Sequence, residues 1–156
     1  MNNKPLILFI GNSLFKDDKI GLIIGEKLKP TLENEGFEVE LLERIGLTII
    51  DYIQDREYVM IIDSISTSKY PVGEVIEVDV NDFQEYSIWS PHYIGLPETL
   101  RLMQALGFNV PRKLYIIGIE VNDVYTISEE ISEELARKVE EISAKVYEKV
   151  KNLLVD

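Results

Sequence analysis

Two apolar runs with no polar interruption stand out in the first half of the chain, Leu6-Ile7-Leu8-Phe9-Ile10 and Tyr58-Val59-Met60-Ile61-Ile62. Short runs of this kind are what central parallel strands need, because helices cover both faces of such a sheet. Further strands are predicted over Phe37 to Leu42, Glu74 to Asp79 and Lys113 to Glu120. The run from Glu74 sets Val75, Glu77 and Asp79 against Ile76 and Val78, the pattern of an edge strand with one wet face. Helical spacing fills the gaps. Ile20, Ile23, Ile24, Leu28 and Leu32 share one helical face, and Gly36 supplies a stop. A short helix from Leu47 to Gln54 is expected to bury Ile50 and Ile53. Another, from Pro97 to Leu106, presents Leu100, Met103 and Leu106 before Gly107. The last is expected to start at Ser128 as N-cap, with Glu129 and Glu130 at the positive end of its dipole. Its stripe of Ile131, Leu135, Val139, Ile142, Val146, Val150 and Leu153 suits packing onto the sheet better than a coiled-coil seam. Alternating strands and helices predict an α/β fold, a three-layer α/β/α sandwich around a mostly parallel five-stranded sheet.

Composition narrows what such a fold could do. A chain of 156 residues, 46% apolar, supports a single domain over 1–156 with one core. No apolar run approaches the ~20 residues of a membrane span. Met1-Asn2-Asn3-Lys4-Pro5 lacks the basic segment and long apolar stretch of a secretory signal, so a cytoplasmic location is expected. The absence of cysteine removes disulfides, thiolate metal sites and cysteine nucleophiles together, leaving oxygen and imidazole as metal donors. A net charge of -12 argues against nucleic acid and anionic membranes, which need clustered Lys and Arg.

Candidate chemistry gathers where the strands end. The first run continues into Gly11-Asn12-Ser13-Leu14-Phe15-Lys16-Asp17-Asp18, and the third strand runs into Asp63. The lone histidine, His92, lies in Ser90-Pro91-His92-Tyr93-Ile94-Gly95-Leu96, with Trp89 and Tyr93 beside it. Ligands of open parallel sheets bind outside the carboxyl ends of the strands, so Asp18, Asp63 and His92 can converge on one rim. Two carboxylates and an imidazole suit a divalent transition metal. Asp17 and Asp18 cannot both face one point. Asp18 adjoins the helix start and is preferred, although spacing alone leaves Asp17 open.

The motifs themselves resemble a known family. Gly11-Asn12-Ser13-Leu14-Phe15-Lys16-Asp17-Asp18-Lys19-Ile20-Gly21 is similar to the opening motif of the hydrogenase maturation endopeptidases. Ile61-Ile62-Asp63-Ser64 followed by Pro71-Val72-Gly73 resembles their second motif, and Ser90 to Leu96 their third. The resemblance runs in order through the Ile117-Gly118-Ile119 strand and the terminal helix. Lys19 stands where a glycine is common, Arg44-Ile45-Gly46-Leu47-Thr48 replaces a glycine-glycine-threonine element, and Tyr93 takes a place often polar. The resemblance implies an endopeptidase that removes a C-terminal extension from the precursor of the nickel-iron hydrogenase large subunit. It also implies that Asp18, Asp63 and His92 contact the nickel, a metal brought by the substrate, with no organic cofactor.

Other chemistries fit less well. Gly-x-Ser-x-Gly and His-Glu-x-x-His are both absent, so neither a nucleophile elbow nor a zincin helix is present. A flavodoxin-like module for FMN or a nucleotide would want backbone donors from Gly, Ser and Thr after the first strand. This chain puts carboxylates there instead. A non-catalytic nickel chaperone using the same three ligands is the remaining alternative.

Overall fold

The computed structural model describes residues 3–43, 48–80 and 96–155. In chain order the elements are β1 (Leu6–Ile10), α1 (Ile20–Asn34), β2 (Glu38–Leu42), α2 (Ile49–Ile53), β3 (Tyr58–Ile65), β4 (Val75–Val78), α3 (Leu96–Ala105), β5 (Lys113–Glu120), α4 (Glu133–Ala136) and α5 (Val139–Leu154). The sheet is five-stranded in the order β2-β1-β3-β5-β4. Its first four strands run parallel, and the edge strand β4 pairs antiparallel with β5, Val75 opposite Ile119.

Period-two alternation divides the strand side chains between two cores. Ile7, Phe9, Met60, Ile62, Ile117 and Ile119 pack with residues of α1 and α5 on one face. Leu6, Leu8, Ile10, Val59, Ile61 and Ile116 pack with residues of α2 and α3 on the other. Each of these twelve strand side chains is fully buried, which removes about 1.5–3 kcal/mol worth of apolar surface from water per residue. That double cover is the three-layer α/β/α sandwich the uninterrupted runs predict. The terminal stripe packs onto the sheet as expected, with Leu135, Ile142, Val146 and Val150 fully buried.

Close approach between α1 and β1 sets the position of everything that follows. A Cβ on Gly21 would lie 2.1 Å from the Ile10 carbonyl oxygen, and one on Gly25 2.7 Å from the Phe9 side chain. These two glycines, one helical turn apart, let the helix sit directly on the strand. At the far end of the helix Gly36 adopts φ +98, the left-handed conformation that ends a helix at little cost for a residue without a Cβ. There the Tyr147 hydroxyl and the Lys151 ammonium on α5 both bond Glu35, and together they hold its carboxyl below the ordinary range.

Several elements differ from the sequence expectation. β3 does not stop at Asp63 but continues through Ser64 and Ile65, which pair with Ile119 and Glu120 of β5. The charge at Asp63 misleads because a buried, hydrogen-bonded aspartate does not end a strand. In α2 it is Ile49, not Ile50, that is buried with Ile53, since the helix begins two residues later than expected. Leu106 is 63% exposed, because the helix ends at Ala105 and Leu106 belongs to the turn into Gly107. Ser128 is not an N-cap. Helix begins only at Glu133, after Ser132, and is broken at Arg137-Lys138 before α5.

Candidate active site

The register of the sheet creates a step at its C-terminal edge. β1 pairs with β3 only as far as Phe9 opposite Ile62, whereas β3 and β5 stay paired to Ile65 and Glu120. Asp63, Ser64 and Ile65 therefore stand above the end of β1. The connection from β1 to α1 drops into that step. This is also where the strand order reverses, β2 lying on one side of β1 and β3 on the other, the crevice in which doubly wound sheets bind ligands.

Asp18 and Asp63 meet at Ser64. The Ser64 hydroxyl donates to Asp18 Oδ1 at 2.6 Å, and the Ser64 backbone N–H donates to Asp63 Oδ1 at 2.7 Å. Asp18 is 1% exposed, and Asp63 and Ser64 are fully buried. Alternation puts Asp63 on the face of Ile61 and Ser64 on the face of Ile62, so the serine bridges the two sides of the strand end. Buried carboxylates are costly unless hydrogen-bonded, and these two share one donor residue.

The neighbouring aspartate does something else. Asp17, fully buried, accepts from the Ser132 N–H at Oδ1 (2.8 Å) and from the Asp123 N–H at Oδ2 (3.3 Å). Its own N–H donates to the Asp123 carbonyl at 2.8 Å. Asp17 thus ties the β1–α1 loop to the segment after β5, while Asp18 turns toward Ser64. The two neighbours are thus given different partners, those of Asp17 lying more than 100 residues away along the chain.

Around this pair the loop is laced to residues 123–128. Phe15 bridges Ile127 in antiparallel register, the Lys16 N–H reaches the Thr126 carbonyl at 2.7 Å, and the Ser128 N–H reaches the Leu14 carbonyl at 3.1 Å. Asp123 braces the turn by accepting from the Thr126 hydroxyl, the Thr126 N–H and the Tyr125 N–H. The Thr126 side-chain bond, with the backbone bonds beside it, holds the Asp123 carboxyl below the ordinary range. Lys19 is nearly buried, and its ammonium donates to the Ser128 carbonyl. The side chain found where the family pattern prefers glycine thus becomes another strut between loop and segment.

A further buried carboxylate was missed at the sequence level. Glu120, 1% exposed at the end of β5, accepts from the Thr67 N–H at 2.9 Å, from the Thr67 hydroxyl and from the Ser68 N–H at 3.4 Å. It fixes the turn leaving β3. An apolar run ending in a carboxylate marks Glu120 in the same way it marks Asp63, and that signal could have found it. Ser64 belonged to the second motif but carried no assigned role, because nothing local reveals its bond to a residue 46 positions earlier.

His92 and the aromatic pair beside it, Trp89 and Tyr93, lie outside the described residues. Among the described residues no three His, Asp or Glu side chains stand close enough to hold a metal. The rim supplies two carboxylates, Asp18 from the β1–α1 connection and Asp63 from β3. Among the described residues no helix is long and apolar enough to cross a membrane.

The fold is thus a mostly parallel α/β sheet with buried, hydrogen-bonded aspartates at its switch point. The sequence model of the hydrogenase maturation protease family matches residues 23–149, and the chain belongs to that family of peptidases. Among solved structures, the hydrogenase maturating endopeptidase HybD from E. coli shares the fold at a TM-score of 0.73 and 23% identity, over 96% of this chain and 93% of that one. The [NiFe] hydrogenase maturation protease HybD from Thermococcus kodakarensis matches at 0.69 and 26% identity, over 94% and 98%. The hydrogenase 2 maturation peptidase from Thaumarchaeota archaeon SCGC_AB-539-E09 matches at 0.67 and 22% identity, over 97% and 98%. Comparison with curated proteins finds no match.

Proposed function

We propose that this endopeptidase removes a C-terminal extension from the nickel-loaded precursor of a nickel-iron hydrogenase large subunit, in the cytoplasm, and that Asp18, Asp63 and His92 meet the nickel carried by that substrate. The observation that carries the reading is the pair of buried carboxylates joined through Ser64 at the switch point, in a chain of the hydrogenase maturation protease family. Carboxylate oxygen and imidazole nitrogen are suitable donors for a first-row divalent metal, and cysteine is absent from this chain.

The chain's residues then act by placement. Asp18 and Asp63 are both tied to Ser64, which fixes the placement of one carboxylate relative to the other. Their charge draws the metal, and with it the adjoining peptide, onto the rim. Nickel held by Asp18, Asp63 and His92 would supply a Lewis acid there, able to polarise the scissile carbonyl or to lower the pKa of an attacking water. Addition of that water breaks the C–N bond, leaving a carboxylate on the mature subunit and an amine on the released extension.

The test is incubation of the purified protein with nickel-loaded and nickel-free precursor, alongside Asp18→Asn, Asp63→Asn and His92→Ala variants. Shortening of the nickel-loaded precursor alone, lost in all three variants while their circular dichroism stays native, is the expected result. Efficient cleavage of nickel-free precursor overturns the metal-recognition part. Full activity in the variants overturns the site, and binding of nickel-loaded precursor without cleavage indicates a chaperone instead.

A further inference from the structure

Three large apolar side chains stand exposed on the loops that brace Asp18. Leu14 is 60%, Tyr125 70% and Ile127 77% exposed. They do not belong to loose segments. Leu14 and Ile127 sit on backbone paired across the Phe15–Ile127 bridge, and the turn carrying Tyr125 is fastened by Asp123. Buried Asp17 anchors the same ribbon to the helix that follows. Exposed apolar groups held on fixed backbone lose little freedom on binding, which is the property of a docking surface.

We propose that Tyr125 and Ile127 form the surface on which the enzyme docks its protein substrate, and that the partner presents an apolar face ringed by basic side chains. The inference rests on the function proposed above and adds how the substrate is gripped away from the bond that is cut. Continuity with the rim is the first argument. The ribbon's residues 14–17 lead directly to Asp18, so the surface is bridged to the loop that carries that carboxylate. Charge is the second. Exposed Glu129 and Glu130 adjoin Ile127, and the whole chain carries -12. Two copies of so acidic a protein repel each other, whereas a basic margin on a substrate is attracted. A second apolar group, Leu102, Leu106 and Phe108, precedes β5 and therefore lies at the opposite edge of the sheet, away from the site.

The experiment compares steady-state cleavage of nickel-loaded hydrogenase precursor by wild type, a Tyr125→Ser/Ile127→Ser double variant and Leu106→Ser as a control from the opposite edge. Both altered residues are exposed, so melting temperature and circular dichroism should match wild type. The double variant should raise KM about tenfold with kcat held within about twofold, while Leu106→Ser leaves both unchanged. An unchanged KM in the double variant overturns the proposal, as does a fall in kcat at constant KM, which assigns the ribbon to the chemistry. A change in oligomeric state at constant KM makes the patch a contact between copies and also overturns it. Failure of wild type to cut the precursor is a different outcome, and it removes the proposed function itself.

Discussion

Ser64 gives its hydroxyl to Asp18 and its backbone N–H to Asp63, so one serine orients both carboxylates of the rim. The two bonds respond differently to substitution. Ser64→Ala leaves the backbone donor of Asp63 in place but strips Asp18 of its hydroxyl partner inside a buried site. A loss of about 1–3 kcal/mol is expected in urea unfolding, together with a fall in kcat as the Asp18 carboxylate loses its orientation. A stability change below about 0.5 kcal/mol, the range of ordinary surface substitutions, would show that the hydroxyl bond contributes nothing.

Asp17 and Asp18 should separate cleanly when each is changed to asparagine. Both oxygens of Asp17 face backbone N–H donors, so an amide there sets its own NH2 against one of them. The Ser64 hydroxyl facing Asp18 can rotate to accept as well as donate. Asp17→Asn is therefore expected to cost about 1–3 kcal/mol in denaturant unfolding, and Asp18→Asn distinctly less while abolishing cleavage. The reverse order of stabilities would contradict the roles assigned to the two residues.

Gly21→Ala should be among the more damaging single-methyl additions available to the chain. Its Cβ would stand 2.1 Å from the Ile10 carbonyl oxygen, and neither strand backbone nor helix can yield without shifting the other. Overpacking of this kind costs about 1–3 kcal/mol or somewhat more. Because the same displacement lifts the start of α1, activity should fall more steeply than stability. A variant with wild-type melting temperature and wild-type turnover would refute the close approach.

Ile61 fills the core on the α2 and α3 side of the sheet and is fully buried. Ile61→Ala is expected to lose about 2–5 kcal/mol by chemical denaturation. A loss under about 1 kcal/mol would place Ile61 outside the core.

Acid should loosen the ribbon through Asp123. Its carboxyl titrates below the ordinary aspartate value because Thr126 bonds the charged form through side chain and backbone, and the Tyr125 N–H adds to this. A depressed pKa in the folded state contributes stability that is present above the unfolded value, about 3.9, and is lost as pH falls through the folded one. The difference in stability between wild type and Asp123→Asn should thus be constant near neutrality and shrink only below about pH 4. An NMR titration of the Asp123 carboxyl at or above the ordinary value would contradict it.

What could be seen from the sequence was whatever depends on neighbours along the chain. Leu6 to Ile10 declares a doubly covered strand because five consecutive apolar residues have no other economical place in a folded domain. The helical spacing of Ile20 to Leu32 and of Leu135 to Leu153 likewise carries its own period. The Asp18–Asp63 half of the candidate site was visible for the same reason, since each residue follows an apolar run. What depended on distant partners was hidden. The different partners of Asp17 and Asp18 come from Asp123, Ser132 and Ser64, all distant along the chain. Ser128 carries the local marks of a helix start, yet its carbonyl is taken by Lys19 and its hydroxyl by the following turn, so helix waits until Glu133. β3 runs past Asp63 because β5 continues to offer partners.

The reach of the Asp17 bonds also sets a timetable for the living cell. Asp17 and Asp123 are separated by 106 positions, and Asp17 and Ser132 by 115. At a ribosomal speed of ~5–20 residues per second, about 5–20 s pass between the synthesis of the aspartate and that of its partners. Through that interval the nascent chain carries Asp17 but not the segment that fixes it. The bonds that brace the β1–α1 loop can thus form only when most of the chain has been made.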